Sequence, residues 1–89
     1  MAEGVPRRAA GTSYEVIDGE AVVIDPDGQE LVTLNRVGTL VWDHLDGTRG
    51  VTELVDVLLP QLDGVSREEL DRDIRSYLDE LRTAGLVES

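Results

Sequence analysis

The chain has 89 residues, a length that suits one domain with a single small core, and it carries 19 Asp and Glu against 8 cations, all arginine, for a net charge of −11. It contains no cysteine, which excludes disulfides, thiolate nucleophiles and cysteine-ligated zinc. No apolar run follows Arg7 and Arg8 and none elsewhere is long enough to span a bilayer, so the expectation is a cytoplasmic protein without a membrane partner.

Residues 1–12 mix Gly, Pro and Ala without periodicity and read as a flexible tail; residues 13–89 read as the single domain. From Ser13 the pattern alternates with a period of two in short runs: Tyr14 to Asp18, Ala21 to Asp25 and Gln29 to Leu34. Asp18-Gly19 and Asp25-Pro26-Asp27-Gly28 separate them, and Asp-Gly beside a β-branched run signals a tight hairpin because glycine reaches positive φ freely. The result is a three-stranded antiparallel meander.

After Leu34 the period becomes helical. Asn35 is placed as an N-cap, and Val37, Leu40, Val41 and Leu45 recur on one face, so a first helix runs from about Arg36 to Leu45. Thr52 is placed as the cap of a second helix with an apolar face of Leu54, Val55, Leu58, Leu59 and Leu62, which Pro60 kinks or ends near Leu59. A third helix opens on Ser66 and Glu69, spaced as a capping box. It carries Leu70, Ile74, Tyr77, Leu78 and Leu81 as its stripe and stops at Gly85, after which Leu86 and Val87 pack as an apolar clamp. Three strands followed by three helices make an α+β domain of the winged helix-turn-helix type.

Catalytic chemistry has little to stand on. Nucleophilic catalysis needs a base beside the nucleophile, and the one histidine, His44, lies beside the apolar helix position Leu45 and reads as a core-edge or surface residue. The carboxylates of the third helix read as a solvated face, and Asp25-Pro26-Asp27-Gly28 lacks the downstream ligands of a calcium loop, so no metal or cofactor is expected and the chain is read as a non-enzyme. A winged helix also suggests DNA binding, but the third helix sets Arg67, Arg72, Arg75 and Arg82 against six acids where a DNA reader presents a basic face, so a nucleic-acid partner is not expected.

Residues 13–34 hold Glu15, Asp18, Glu20, Asp25, Asp27 and Glu30 with no Lys or Arg, which repels phosphate and suits a basic or neutral polypeptide; a surface kept soluble by charge is the other reading. In a simple meander the third strand, Gln29 to Leu34, is an edge with no proline or lysine to blunt it. Such an edge either accepts an added strand, with main-chain hydrogen bonds giving affinity, or is covered by the protein's own third helix or tail.

The run Leu34-Asn35-Arg36-Val37-Gly38, then Val41-Trp42, Leu45-Asp46-Gly47 and Arg49, resembles the PqqD family, as does the closing pattern Tyr77-Leu78, Leu81 and Gly85-Leu86-Val87. The resemblance spans residues 14 to 88 and implies a recognition domain that takes the leader of a ribosomally made precursor peptide as an extra strand between the third strand and the third helix. Carried over by position, the strand side is Gln29, Glu30, Leu31, Val32, Thr33 and Leu34, and the helix wall is Asp71, Ile74, Arg75, Leu78 and Arg82. Members that serve pyrroloquinoline quinone synthesis often carry Cys before Asp-Gly, where this chain has Leu45. The short free-standing form looks like the recognition proteins of lasso-peptide pathways, which implies a leader peptidase, and with it a cyclase, as partners. A peptide chaperone for a radical enzyme in quinone-cofactor synthesis is one alternative, and a winged-helix DNA-binding regulator is the other.

Overall fold

The computed structural model describes residues 5–88, so residues 1–4 of the expected tail, and Ser89, lie outside the described residues. In chain order the elements are β1 (Arg7–Arg8), β2 (Ser13–Ile17), β3 (Glu20–Ile24), β4 (Leu31–Thr33), α1 (Arg36–Asp43), α2 (Val51–Leu58), a 3-10 turn (Leu59–Gln61), α3 (Arg67–Thr83) and β5 (Val87–Glu88). The meander expected from the alternating runs is the antiparallel sheet β2-β3-β4, and three helices follow it.

The β2–β3 turn forms because Asp18 and Gly19 both take positive φ, 53° and 81°, the pair of values that matches a two-residue turn to strand twist. The β3–β4 connection is longer than the alternation suggests. Asp25 Oδ1 accepts the Gln29 N–H at 2.8 Å and the Asp25 carbonyl accepts the Gly28 N–H at 3.0 Å, so Gln29 and Glu30 belong to the turn and the strand proper is Leu31–Thr33.

Helix α1 starts at Asn35, whose Oδ1 accepts the Gly38 N–H at 2.8 Å, a cap worth about 1 kcal/mol. It ends at Asp43 rather than Leu45, because the His44 and Leu45 N–H groups reach back only three residues, to the Val41 and Trp42 carbonyls, and tighten the last turn. Helix α2 is capped by Gly50 rather than Thr52. No side chain bonds its first N–H groups, and Glu53 in the first turn supplies the negative charge that the helix dipole favours there. Pro60 falls in the 3-10 turn, where its missing N–H is not needed. Ser66 Oγ caps α3 by accepting the Glu69 N–H at 3.1 Å. The helix closes with Gly85 at φ 77°, the Gly85 N–H on the Arg82 carbonyl and the Leu86 N–H on the Leu81 carbonyl, a Schellman motif whose apolar partners Leu81 and Leu86 are both buried.

Residues 7–12, read from composition as part of a structureless tail, include strand β1. It pairs antiparallel with β5 in a second sheet, with Arg7 opposite Glu88 and Arg8 opposite Val87. The Arg8 N–H bonds the Leu45 carbonyl at 3.1 Å, the Ala9 N–H bonds the Leu86 carbonyl at 2.9 Å, and Ala9 is buried. The partner of β1 lies at the far end of the chain, so no local periodicity announces the pairing.

The core lies between the inner face of β2-β3-β4 and the three helices. It is built on Trp42, Leu45, Leu54, Leu58, Leu70, Ile74, Leu78, Leu81 and Leu86, each no more than 1% exposed. Trp42 is capped by Tyr14, edge-on with ring centroids 5.6 Å apart, and by the Arg8 guanidinium 6.0 Å from its ring centroid, so β1 helps close the core. No helix among the described residues is long and apolar enough to cross a membrane.

Candidate functional site

Among the described residues strand β4 is an edge of its sheet, paired with β3 alone, through Leu31 with Ile24, Val32 with Val23 and Thr33 with Val22. The direction of each backbone group follows from the flanking bonds. The Asp25 N–H meets the Glu30 carbonyl at 3.1 Å and the Leu34 N–H meets the Ala21 carbonyl at 2.7 Å, so by the alternation of an antiparallel ladder Glu30, Val32 and Leu34 turn their N–H and C=O groups toward β3. Leu31 and Thr33 therefore turn both of theirs outward, two donors and two acceptors spaced as a further strand requires. The side chains divide the opposite way. Leu34 is buried and Val32 packs against the core, whereas Leu31, 62% exposed, and Thr33 stand on the outer face, and Gln29 and Glu30 are exposed in the preceding turn.

The end of this edge is held firmly. Thr39 Oγ1 accepts the Ala21 N–H at 2.8 Å and donates to the Leu34 carbonyl at 3.3 Å, completing the ladder where β4 gives way to α1. Asn35 Oδ1, already the α1 cap, also accepts the Tyr77 hydroxyl at 2.7 Å, which ties the middle of α3 to the end of β4. Gly38 makes that approach possible: a Cβ there would stand 3.0 Å from Tyr77 Cε1 and 3.3 Å from Leu34 Cβ.

The helix-wall residues expected from sequence are not together on this flank. Ile74 and Leu78 are sealed in the core, 0% and 1% exposed. Arg75 and Arg82, two turns apart on one stripe, line a cavity of about 260 Å³ with Val5, Pro6, Thr48 and the first residues of α2. Asp71 accepts from Arg75 Nε at 2.8 Å and lies on that same side. The helix phase explains the difference: with the apolar stripe on the core, Asp71, Arg75 and Arg82 fall on the α2 side, and the opposite flank, toward Asn35 and β4, is the Tyr77 side. Tyr77 was legible as a stripe residue, and its polar tip at the stripe's margin was the signal that it links the core to a polar partner, here Asn35.

Elsewhere the polar groups serve the backbone. His44 Nδ1 lies 2.8 Å from the Leu40 carbonyl at the end of α1. The Thr48 hydroxyl and N–H, both donating to Oδ1, with Arg49 at Oδ2, hold the Asp46 carboxyl below the usual carboxylate range. Among the described residues no three His, Asp or Glu side chains are grouped as a metal ion would need.

Three solved structures share this fold. TbiB1 in complex with the TbiA(β) leader peptide superposes with a TM-score of 0.81 at 25% identity, over 93% of this chain and 95% of that one. A lasso peptide synthetase B1 complexed with its leader peptide gives 0.79 at 21% identity, over 96% and 99%. The PqqD truncation of Methylobacterium extorquens PqqCD, described as a stand-alone RiPP recognition element, gives 0.78 at 21% identity, over 96% and 89%. No curated protein sequence matches the chain. The family model for coenzyme PQQ synthesis protein D matches residues 20–87, from the start of β3 through the first residue of β5, and the chain belongs to the PqqD family.

Proposed function

We propose that this chain captures the leader segment of a ribosomally made precursor peptide by strand addition to β4, in the groove between β4 and the Tyr77 flank of α3, and presents it to maturation enzymes of a lasso-peptide pathway. The observation that carries the reading is the open edge of β4, where Leu31 and Thr33 direct their N–H and C=O groups away from β3. The likeness to TbiB1, which was solved with a leader peptide bound, supports a peptide as the ligand. Main-chain hydrogen bonds supply affinity, and the side chains bordering the groove set register and preference.

The domain performs no chemistry in this scheme. Its contribution is effective concentration: a leader held beside a peptidase, and then a cyclase, meets those enzymes as a local partner and in fixed register. The acidic 13–34 segment favours a leader that is neutral or basic, and the setting is cytoplasmic. The family's own description favours a second reading, a chaperone role in quinone-cofactor synthesis beside a radical enzyme. The identity of the peptide that binds separates the two.

Fluorescence polarisation with labelled leader peptides, encoded by short reading frames near this chain's gene, tests the proposal. Saturable binding at or below about 1 μM, near −8 kcal/mol, is expected for one of them. Absence of binding to every such peptide by the folded protein would overturn it.

A further inference from the structure

The sheet has a second surface that peptide capture leaves unused. On the face turned away from the helices, Ile17 of β2, Val22 and Ile24 of β3 and Leu31 of β4 form a diagonal apolar path: Leu31 pairs with Ile24, Val22 follows along β3, and Ile17, paired with Glu20, lies diagonal to Val22, with Glu15 and Thr33 opposite Val22 and Ser13 opposite Ile24. Ile17 is 57% and Leu31 62% exposed, and Ile17, Val22 and Ile24 border an open cavity of about 320 Å³. A solvated sheet face normally carries polar residues, so a contiguous diagonal of four apolar side chains on the outside of a three-stranded sheet marks a contact surface.

The rim of this patch is uniformly acidic. Glu15 and Glu20 stand on the face itself, Asp18, Asp25, Asp27 and Glu30 lie in the turns at its two ends, and no Lys or Arg occurs between Ser13 and Asn35. A second copy of the chain would bring two such acidic sets into opposition, which charge disfavours. The complementary partner is a protein with an apolar patch ringed by lysines or arginines.

We propose that this face docks the enzyme that acts on the captured peptide, through a basic-rimmed apolar surface on that enzyme. This rests on the peptide-capture reading for the enzyme's identity, and the placement suits it: Leu31 offers its backbone to the peptide edge and its side chain to the docking face, so enzyme and peptide are held on adjacent surfaces of one strand. The two contacts use different atoms and are separable.

The test measures two affinities for each of three proteins: the native chain, Ile17→Glu, and the double charge reversal Glu15→Arg with Glu20→Arg. Sedimentation or interferometry follows binding to each purified maturation enzyme encoded beside this chain, and polarisation follows binding to the labelled leader. Both variants are expected to weaken enzyme binding by about tenfold or more, and native enzyme binding is expected to weaken steeply as salt rises, while Ile17→Glu leaves leader affinity unchanged within about twofold. Enzyme binding that survives both variants, or that none of those enzymes shows with the native chain, overturns the docking face. So does a native dimer that Ile17→Glu dissociates, which would assign the face to self-association. Loss of leader binding by the native chain strikes the capture reading instead, and the two failures are read in separate channels.

Discussion

At the scale of single residues, Asn35 concentrates more function than its exposed position suggests. One oxygen caps α1 through Gly38 and anchors Tyr77, so Asn35→Ala removes both bonds at once. It is expected to cost about 2 kcal/mol, while Tyr77→Phe, which removes only the second bond, costs about 1 kcal/mol; urea unfolding of the two variants measures the difference. Gly38→Ala is expected to destabilise despite alanine's better helix propensity. The new methyl meets the anchored Tyr77 ring and Leu34 Cβ, and Tyr77 cannot retreat without giving up its bond to Asn35. Asp46 gives a pH-dependent handle. The Thr48 hydroxyl is the largest influence holding its carboxyl down, so the stability it contributes is complete above the unfolded carboxylate pKa and is lost as pH falls through the lower folded value. In Thr48→Ala the Asp46 titration, followed by carboxyl NMR, moves upward toward the ordinary value.

At the scale of elements, the ladder geometry of β4 distinguishes neighbouring prolines. The Val32 N–H lies within the β3 ladder, so Val32→Pro breaks the sheet, whereas the Thr33 N–H points outward, so Thr33→Pro removes a donor that only an added strand would use. Thr33→Pro is expected to keep the native circular dichroism spectrum and lose leader affinity by about tenfold or more. Leader binding that Thr33→Pro leaves unchanged would argue against strand addition. The α3 residues separate similarly: Ile74→Ala is expected to destabilise the fold by about 2–5 kcal/mol because Ile74 is core, while Arg75→Ala affects neither the sheet nor the β4 edge. The three strands, the Asn35 and Ser66 caps, the break at Pro60 and the stop at Gly85 were all legible because each is specified by residues within a few positions of one another. The α3 flank that lies beside Asn35 was not. Which flank of α3 turns toward Asn35 depends on how the helix rolls against a core assembled from distant segments. Strand β1 was hidden for the same reason, since its partner β5 comes from the opposite terminus.

At the scale of the whole molecule, charge and topology divide the labour. Helix α3, which reads DNA in many winged helices, here has Leu70, Ile74, Leu78 and Leu81 in the core and acids over much of its outer surface, so its surface offers phosphate little. The sheet instead presents two different surfaces on one strand: a polar backbone edge suited to a peptide and an apolar, acid-rimmed face. A leader peptide that becomes a strand beside β4 protects particular amides. In amide hydrogen exchange resolved by NMR, adding a leader peptide that binds is expected to slow exchange of the Leu31 and Thr33 amides by about tenfold or more, while the Val32 amide, already bonded to β3, changes far less. Saturable binding with no added protection at Leu31 and Thr33 would rule out strand addition at β4 and move the peptide to another surface.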